Sequence, residues 1–263
     1  MINTKNNDIF NLVLLFLGGL ILLFVIAPFF GMYFGTSINE LIDVSAEKEV
    51  QESIWLTIWT SMIGTLICAV FSIPLSYILA RKNFPLKKLV NGIIDLPIII
   101  PHSAAGIAVL GLISRDSFIG QTANSMGFSF VGTPAGIMLA MAFVSVPFLI
   151  NAARDGFAAV PEKYEKAALN LGASQMRVFF TISLPLAWRS ILSGLILMWA
   201  RGMSEFGAVI IVAYHPITTP VMIFERFTSF GLKYSMPVTV LFVTICLVFF
   251  LVFRLIGSRK NNA

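Results

Sequence analysis

Residues able to handle charge are rare inside the apolar stretches of this chain. Arg201 and Glu205 lie four residues apart in one such stretch, and His102 and Ser103 lie in another. Ionisable groups in a hydrocarbon environment are costly, so they usually pair with each other or face a water-filled cavity. Two interpretations stay open. The four residues line a polar pathway or its gate, or the charged pair only fixes helix packing and His102 is an ordinary hydrogen-bonded bundle residue.

Other kinds of chemistry find little support in the sequence. The histidines are His102 and His215, and they belong to no metal-binding pattern. Cys68 and Cys246 lie in apolar runs and are typical of small core residues. A Gly-rich phosphate-binding loop is absent. The sequence therefore predicts no catalytic residues, no metal site and no cofactor bound by this chain.

A second group of residues predicts a short amphipathic helix outside the apolar stretches. Pro161 suits its first turn, and Gly172 suits the position after its end. Its apolar stripe consists of Tyr164, Ala167, Ala168 and Leu171. So short a helix is unstable alone and must pack on its own bundle, on lipid or in a partner's groove. Ser174 can cap a second short helix, which we expect Leu184-Pro185 to stop before the next apolar run.

The elements that must position these residues are six predicted membrane-spanning helices. Hydrophobic residues make up 57% of the 263 residues, charged residues 12%, and the mean hydropathy is +0.89. These values exclude a disordered chain and an ordinary cytosolic enzyme. About 20 apolar residues cross a bilayer, and the runs that qualify are 9–34, 53–80, 89–114, 134–153, 187–214 and 234–253. The first is too long for a cleavable signal peptide and should remain as a helix.

The third predicted helix should be bent. Pro97 and Pro101 lack a backbone donor and free carbonyl groups within one span. At 1.5 Å per residue, His102 and Arg201 lie roughly 20 Å and roughly 21 Å from the inner ends of their helices. We therefore expect these two side chains at comparable depth, near or just beyond the membrane midplane.

The positions of Lys and Arg predict the orientation. Most of the 18 basic residues fall on one side if both termini lie in the cytoplasm, and basic residues favour that side. The first external loop is then acidic, with Glu40, Asp43, Glu47, Glu49 and Glu52. The net charge of +5 is thus explained by topology, and no nucleic-acid partner is expected.

The long inside loop carries a spaced pattern that resembles a known family. Two alanines are followed after three residues by glycine, after nine more by isoleucine, and then by Leu-Pro. The residues are Ala167, Ala168, Gly172, Ile182, Leu184 and Pro185. This is similar to the "EAA" loop of permease subunits of bacterial and archaeal ABC importers, and the resemblance covers residues 53–254. Lys166 stands where that motif has glutamate, and Glu165 precedes it.

The resemblance implies an all-α fold of the type I importer class in the cell membrane. It implies a region 1–52 with the first helix and acidic loop, a transporter core 53–254 containing a cytoplasmic coupling loop 154–188, and a tail 255–263. Two copies would pair, bind two ATPase subunits that use ATP and Mg²⁺, and receive substrate from an external binding protein. The residues implied in ATPase coupling are Glu165, Lys166, Ala167, Ala168, Leu171 and Gly172. If the motif's acid contacts the ATPase, either Glu165 substitutes for it or the contact differs here.

Two further stretches resemble permeases for tetrahedral oxyanions. One is residues 96–108, which include His102 and Ser103, and the other is Ser204 to Ala208 followed by Tyr214-His215-Pro216. The stretch from Ser204 onward is most similar to archaeal tungstate/molybdate permeases. The sequence leaves a sulfate/thiosulfate permease as an alternative. An ion-driven secondary transporter is a different alternative, although Asp95 and Glu205 are the only acids in the predicted spans and no repeat is evident.

Overall fold

The computed structural model describes residues 4–258, and within that range all regular structure is helical. The helices in order are α1 (Thr4–Phe34), α2 (Ile38–Ala46), α3 (Lys48–Arg81), α4 (Lys87–Ile99), α5 (His102–Ile113), α6 (Phe118–Ser125), α7 (Pro134–Ala159), α8 (Glu162–Asn170), α9 (Gln175–Val178), a π-helical segment (Phe179–Ser183), α10 (Leu184–Met203), α11 (Gly207–Val212), α12 (Thr219–Phe230) and α13 (Leu232–Ser258). Residues 259–263 of the predicted tail lie outside the described range.

Five helical stretches in the described range are long and apolar enough to cross a membrane. They are Phe10–Phe34, Lys48–Arg81, Pro134–Ala159, Gln175–Met203 and Leu232–Phe253. The pair α4 and α5 passes the same test together and is bent by 112°. Counting that pair as one span gives the six predicted helices. The second span begins earlier than predicted, since α3 starts at Lys48 rather than at residue 53.

The bend in the third span is much sharper than a proline kink within one helix. Ile100 ends α4 in an extended conformation, and Pro101 precedes α5 with φ −55° and ψ 137°. Pro101 has no N–H and disfavours helical geometry at Ile100, which favours a break after α4. The predicted bend of the third span is confirmed, but the span consists of two helices rather than one, and the second starts at His102.

The fifth span also differs from its prediction at both ends. It runs without interruption from α9 through the π-helical segment into α10, so Leu184-Pro185 does not stop it. The N–H of Leu184 reaches back five residues to the carbonyl of Phe179, which accommodates the missing donor of Pro185. At the other end α10 stops at Met203 rather than Tyr214, and residues 204–206 separate it from α11.

The centre of the bundle is formed by α3, α7 and α10. Hydroxyl groups on α3 bond back to their own helix, as Thr57 does to the Ser53 carbonyl at 2.7 Å and Ser61 to the Thr57 carbonyl at 2.7 Å. The same helix carries Gly64, where a Cβ would lie 3.4 Å from the Met138 carbonyl oxygen of α7. Small and self-satisfied side chains let neighbouring helices approach closely in a membrane. The core is thus held by close packing rather than by large apolar residues alone.

The first helix stands apart from this core. None of its most apolar stretch is buried. Near the end of α1, Tyr33 Oη lies 2.7 Å from Thr244 Oγ1 of α13. The following α2 begins with a capping box in which Ser37 and Glu40 bond each other's backbone N–H groups. These hydrogen bonds from Ser37 lower the pKa of Glu40. The predicted acidic loop is therefore largely helical.

Candidate functional site

A charged cluster joins the breaks of the third and fifth spans. Arg201 Nη2 lies 2.8 Å from Glu205 Oε2, and His102 Nδ1 lies 3.1 Å from the same oxygen. Arg201 Nη2 also lies 2.9 Å from His102 Nε2. The contacts to Oε2 are ion-pair distances, and Glu205 Oε2 makes no hydrogen bond with the described residues. The two side chains expected at comparable depth are thus in contact.

The local backbone explains how the cluster is assembled. Arg201 lies in the last turn of α10, and His102 is the first residue of α5. Glu205 lies in the break after α10, and its Oε1 accepts a 2.8 Å hydrogen bond from the N–H of Ala208, near the start of α11. Gly207 allows the close approach of the two breaks, because a Cβ there would lie 2.8 Å from His102 Cβ. The predicted i, i+4 pair exists, although Glu205 is outside the helix.

Burial divides the cluster into two sides. The Glu205 side chain is 0% exposed, whereas that of Arg201 is 21% and that of His102 is 42% exposed. Ser103 and Ser204 are exposed beside them. An exposed cationic and hydroxyl-bearing face within apolar spans is unfavourable against lipid. This face therefore requires a water-filled route or another protein surface.

A second polar contact inside the bundle involves the other predicted membrane acid. Asp95 of α4 accepts a 2.7 Å hydrogen bond from the side-chain amide of Asn151 on α7. The sequence analysis did not single out Asn151, although an amide within the apolar run 134–153 was a usable signal. The pair connects α4 to α7.

The predicted amphipathic helix is α8, and Gly172 ends it with φ +87°. That left-handed conformation favours glycine and agrees with the predicted position after the helix. Tyr164, Ala167 and Leu171 are exposed, and Leu171 is 89% exposed. Lys166 pairs with Glu162 at 2.8 Å and lowers the pKa of that carboxyl. The face carrying Tyr164, Ala167 and Leu171 thus lacks cover from the described part of the chain.

Glu165 points the other way, into the bundle. Its carboxylate accepts bonds from both Nε and Nη2 of Arg81, at 3.0 Å and 2.8 Å. Ser183 donates to it at 2.7 Å and Tyr77 at 3.4 Å. Glu165 is thus buried on a different face of α8 from the exposed Tyr164, Ala167 and Leu171. The sequence analysis missed Arg81, Tyr77 and Ser183, because nothing in their local pattern identifies a partner so far along the chain.

The apolar spans define a multi-pass membrane protein. A family model described as "Binding-protein-dependent transport system inner membrane component" matches residues 72–262, and the chain belongs to this family. It is 44% identical to the molybdate/tungstate transport system permease protein of Thermococcus kodakarensis, over 86% of each chain. The corresponding protein of Methanocaldococcus jannaschii is 41% identical, over 92% of this chain and 95% of the relative. A probable sulfate transport system permease protein of Chlorokybus atmophyticus is 32% identical over 71% of this chain and 67% of the relative.

Solved structures of ABC transporters share the fold. A bacterial transporter involved in alginate import superposes with a TM-score of 0.76 at 15% identity and covers 98% of both chains. A methionine ABC transporter gives 0.61 at 14% identity, covering 80% of this chain and 93% of the other. The predicted all-α permease fold and membrane location are confirmed, and the chain is a transport component rather than an enzyme.

Proposed function

We propose that two copies of this chain form the translocation pathway of an ATP-driven importer for molybdate or tungstate. The observation that carries the proposal is the identity of 41% to 44% with molybdate/tungstate permease proteins across most of the chain. The sulfate relative shares less sequence over a shorter stretch, which supports sulfate only as a second candidate. ATP and Mg²⁺ are used by a separate ATPase, and an external binding protein supplies the oxyanion.

The cluster of His102, Arg201 and Glu205 is proposed to line this pathway together with Ser103. Its exposed cationic side supports the role, because a polar face in apolar spans needs water or protein against it. A second copy placed against this side would enclose a route between the two chains. An anion crossing surroundings of low dielectric constant is stabilised by a nearby positive charge.

The inside helix α8 is proposed to dock into a groove of the ATPase. Its exposed Tyr164, Ala167 and Leu171 supply an apolar contact face, and Lys166 lies beside it. Helix-in-groove recognition commonly uses anchors at this spacing. Glu165 supports the docking indirectly, because its bonds to Arg81 and Ser183 hold α8 against the bundle.

Reconstitution tests the proposed function. The permease is placed in proteoliposomes with an ATPase and a binding protein from the same organism, and uptake of tungstate, molybdate and sulfate is measured with and without ATP and Mg²⁺. We expect tungstate or molybdate uptake that needs all three components, with little inhibition by excess sulfate. Uptake without ATP that stops when ion gradients are dissipated would instead identify a secondary transporter. ATP-dependent sulfate uptake with no molybdate or tungstate would establish the second candidate.

The proposed orientation places both termini in the cytoplasm. The basic turn after α3, which includes Lys82, Lys87 and Lys88, then lies inside, and Glu47 between α2 and α3 lies outside. A cysteine at Glu47 should react with an impermeant thiol reagent in sealed, right-side-out vesicles, whereas one at Lys87 should not. External labelling at position 87 would reverse the orientation.

A further inference from the structure

The carboxylate of Glu205 has the chemistry of an anionic ligand held in a cationic site. Its Oε2 lies within 2.8 Å of Arg201 and 3.1 Å of His102, whereas its Oε1 bonds the backbone N–H of Ala208. Oε1 therefore anchors the side chain to α11, and Oε2 faces Arg201 and His102. A tetrahedral oxyanion offers the same kind of charged acceptor oxygen that Oε2 supplies.

Arg201 and His102 can be reached without passing the carboxylate. Glu205 is 0% exposed, but Arg201 and His102 are 21% and 42% exposed. The hydroxyls of Ser103 and Ser204 are exposed next to them, and Arg201 Nη1 lies 3.4 Å from Ser204 Oγ. An incoming anion would thus meet guanidinium and hydroxyl donors before it meets Glu205.

We propose that Arg201 and His102 form a transient oxyanion site in which Glu205 is a built-in competitor. In the conformation described here Glu205 occupies the site, and a dianion in transit displaces Oε2 from Arg201 and His102 while Oε1 stays with Ala208. Because Glu205 lies in the break between α10 and α11, this exchange requires no helix to unwind.

The charge balance gives the exchange its purpose. Each copy provides one guanidinium and one carboxylate, so the resting cluster holds no excess positive charge when His102 is neutral. Each carboxylate stays in place through Oε1, so two copies with a bound molybdate or tungstate dianion carry a net charge of −2 when His102 is neutral. This excess negative charge makes the bound state transient. The returning Oε2 atoms would expel the ion, because the carboxylates and the dianion compete for the same donors. This step depends on the proposed paired arrangement and oxyanion substrate.

The matched variant Glu205→Gln removes the competitor and keeps its shape. The amide oxygen can still accept from Ala208, but it brings no negative charge to Arg201. The permease–ATPase complex is purified without nucleotide, and binding of radiolabelled molybdate is measured by equilibrium dialysis. We expect Glu205→Gln to bind at least about tenfold more tightly than the unmodified complex, and Arg201→Met added to it should abolish that gain.

The control is Asp95→Asn, which removes the other membrane acid without touching the cluster. It should bind molybdate as weakly as the unmodified complex. Equal gains from Asp95→Asn and Glu205→Gln would reduce the effect to net charge and overturn the proposal. No gain in Glu205→Gln, or a gain that survives Arg201→Met, would do the same.

A second measurement tests the proposed site even if the Glu205→Gln protein does not fold. Ser204→Cys, made with Cys68 and Cys246 replaced by alanine, places a thiol beside Arg201. An anionic thiol reagent should react with it faster than a cationic reagent of equal size, and molybdate should slow that reaction. Equal rates without protection would contradict the site. Uptake by the unmodified protein tests the proposed function separately, so transport without these effects would reject this inference alone.

Discussion

Two arginine–glutamate pairs in this molecule have opposite surroundings. Arg81 and Glu165 are 8% and 9% exposed, and the carboxylate is bonded by two guanidinium nitrogens, Ser183 and Tyr77. Arg201 and Glu205 share a single close contact at 2.8 Å, and Arg201 keeps an exposed side. In the first pair the carboxylate accepts hydrogen bonds from three side chains. The second has an open side from which another anion can approach.

The difference indicates which pair can change partners. A buried ion pair repays its desolvation only when its remaining donors and acceptors are also satisfied, and then it favours one geometry. The Arg81–Glu165 pair comes nearer to this condition, since Arg81 Nη2 also donates to the Val160 carbonyl at 2.9 Å, whereas Glu205 Oε2 has no hydrogen-bond partner among the described residues. We therefore interpret the Arg81–Glu165 pair as a fixed joint, meaning a contact that holds α8 against the bundle. We interpret the Arg201–Glu205 pair as an exchangeable contact.

Breaking the fixed joint should have the largest effect. Arg81→Ala leaves Glu165 buried without its charged partner, a change that typically costs about 3–5 kcal/mol. We expect a large loss of thermal stability in detergent and loss of ATPase co-purification, because α8 is no longer held. Arg154→Ala is the control, since its partner Asp155 is exposed and such pairs contribute about 0–1 kcal/mol. An Arg81→Ala protein as stable and as well coupled as this control would refute the joint.

Breaking the exchangeable contact should affect both transport and stability. Arg201→Met removes the positive charge at the pathway, and we expect oxyanion uptake to fall at least about tenfold, which corresponds to about 1.4 kcal/mol in the barrier. Thermal stability should also fall, because the fully buried Glu205 carboxylate loses its guanidinium partner.

The charge-swapped protein with Arg201→Glu and Glu205→Arg sharpens this test. It should fold, because the two side chains can still form an ion pair, but transport poorly, because the guanidinium then comes from the break after α10 rather than from its last turn. Unchanged uptake and stability in Arg201→Met would mean that Arg201 has neither role.

A smaller effect is expected where α8 ends. Gly172→Val places a β-branched side chain at φ +87°, which costs about 1–3 kcal/mol. The bundle should still fold, while ATPase activity stimulated by the loaded binding protein should fall. Gly172→Asn is the matched control, because asparagine tolerates this conformation better. If valine and asparagine give the same activity, the left-handed turn does not matter for docking.

The smallest effect is expected at Lys166. It makes an exposed pair with Glu162, with side chains 70% and 56% exposed, and such pairs contribute little. Lys166→Glu restores the acid of the motif, and we expect uptake within about twofold of the original, less than the 1.4 kcal/mol that tenfold represents. A severe loss of uptake would show that Lys166 makes a specific contact with its ATPase.

Sequence reasoning located both regions but only partly described them. Helix rise alone placed His102 and Arg201 at one depth, because each is counted from a nearby helix end. The 112° bend was beyond such counting, since it depends on how α5 packs against α11 through Gly106, where a Cβ would lie 2.9 Å from Ala208 Cα. The partnership of Arg81 with Glu165 joins residues on separate elements, and local spacing holds no signal for it.

The π-helical turn at Phe179–Ser183 determines how far the residues before it are rotated about the helix axis relative to α10. Val178, Ser183 and Ala187 are all buried, yet five residues of α-helix would rotate Ser183 about 140° away from the direction of Val178. The additional residue in this turn brings both onto the face that meets the bundle. Removing one residue here would turn everything before it by about 100° around the axis of α10. The turn therefore helps to set the direction in which the exposed face of α8 points.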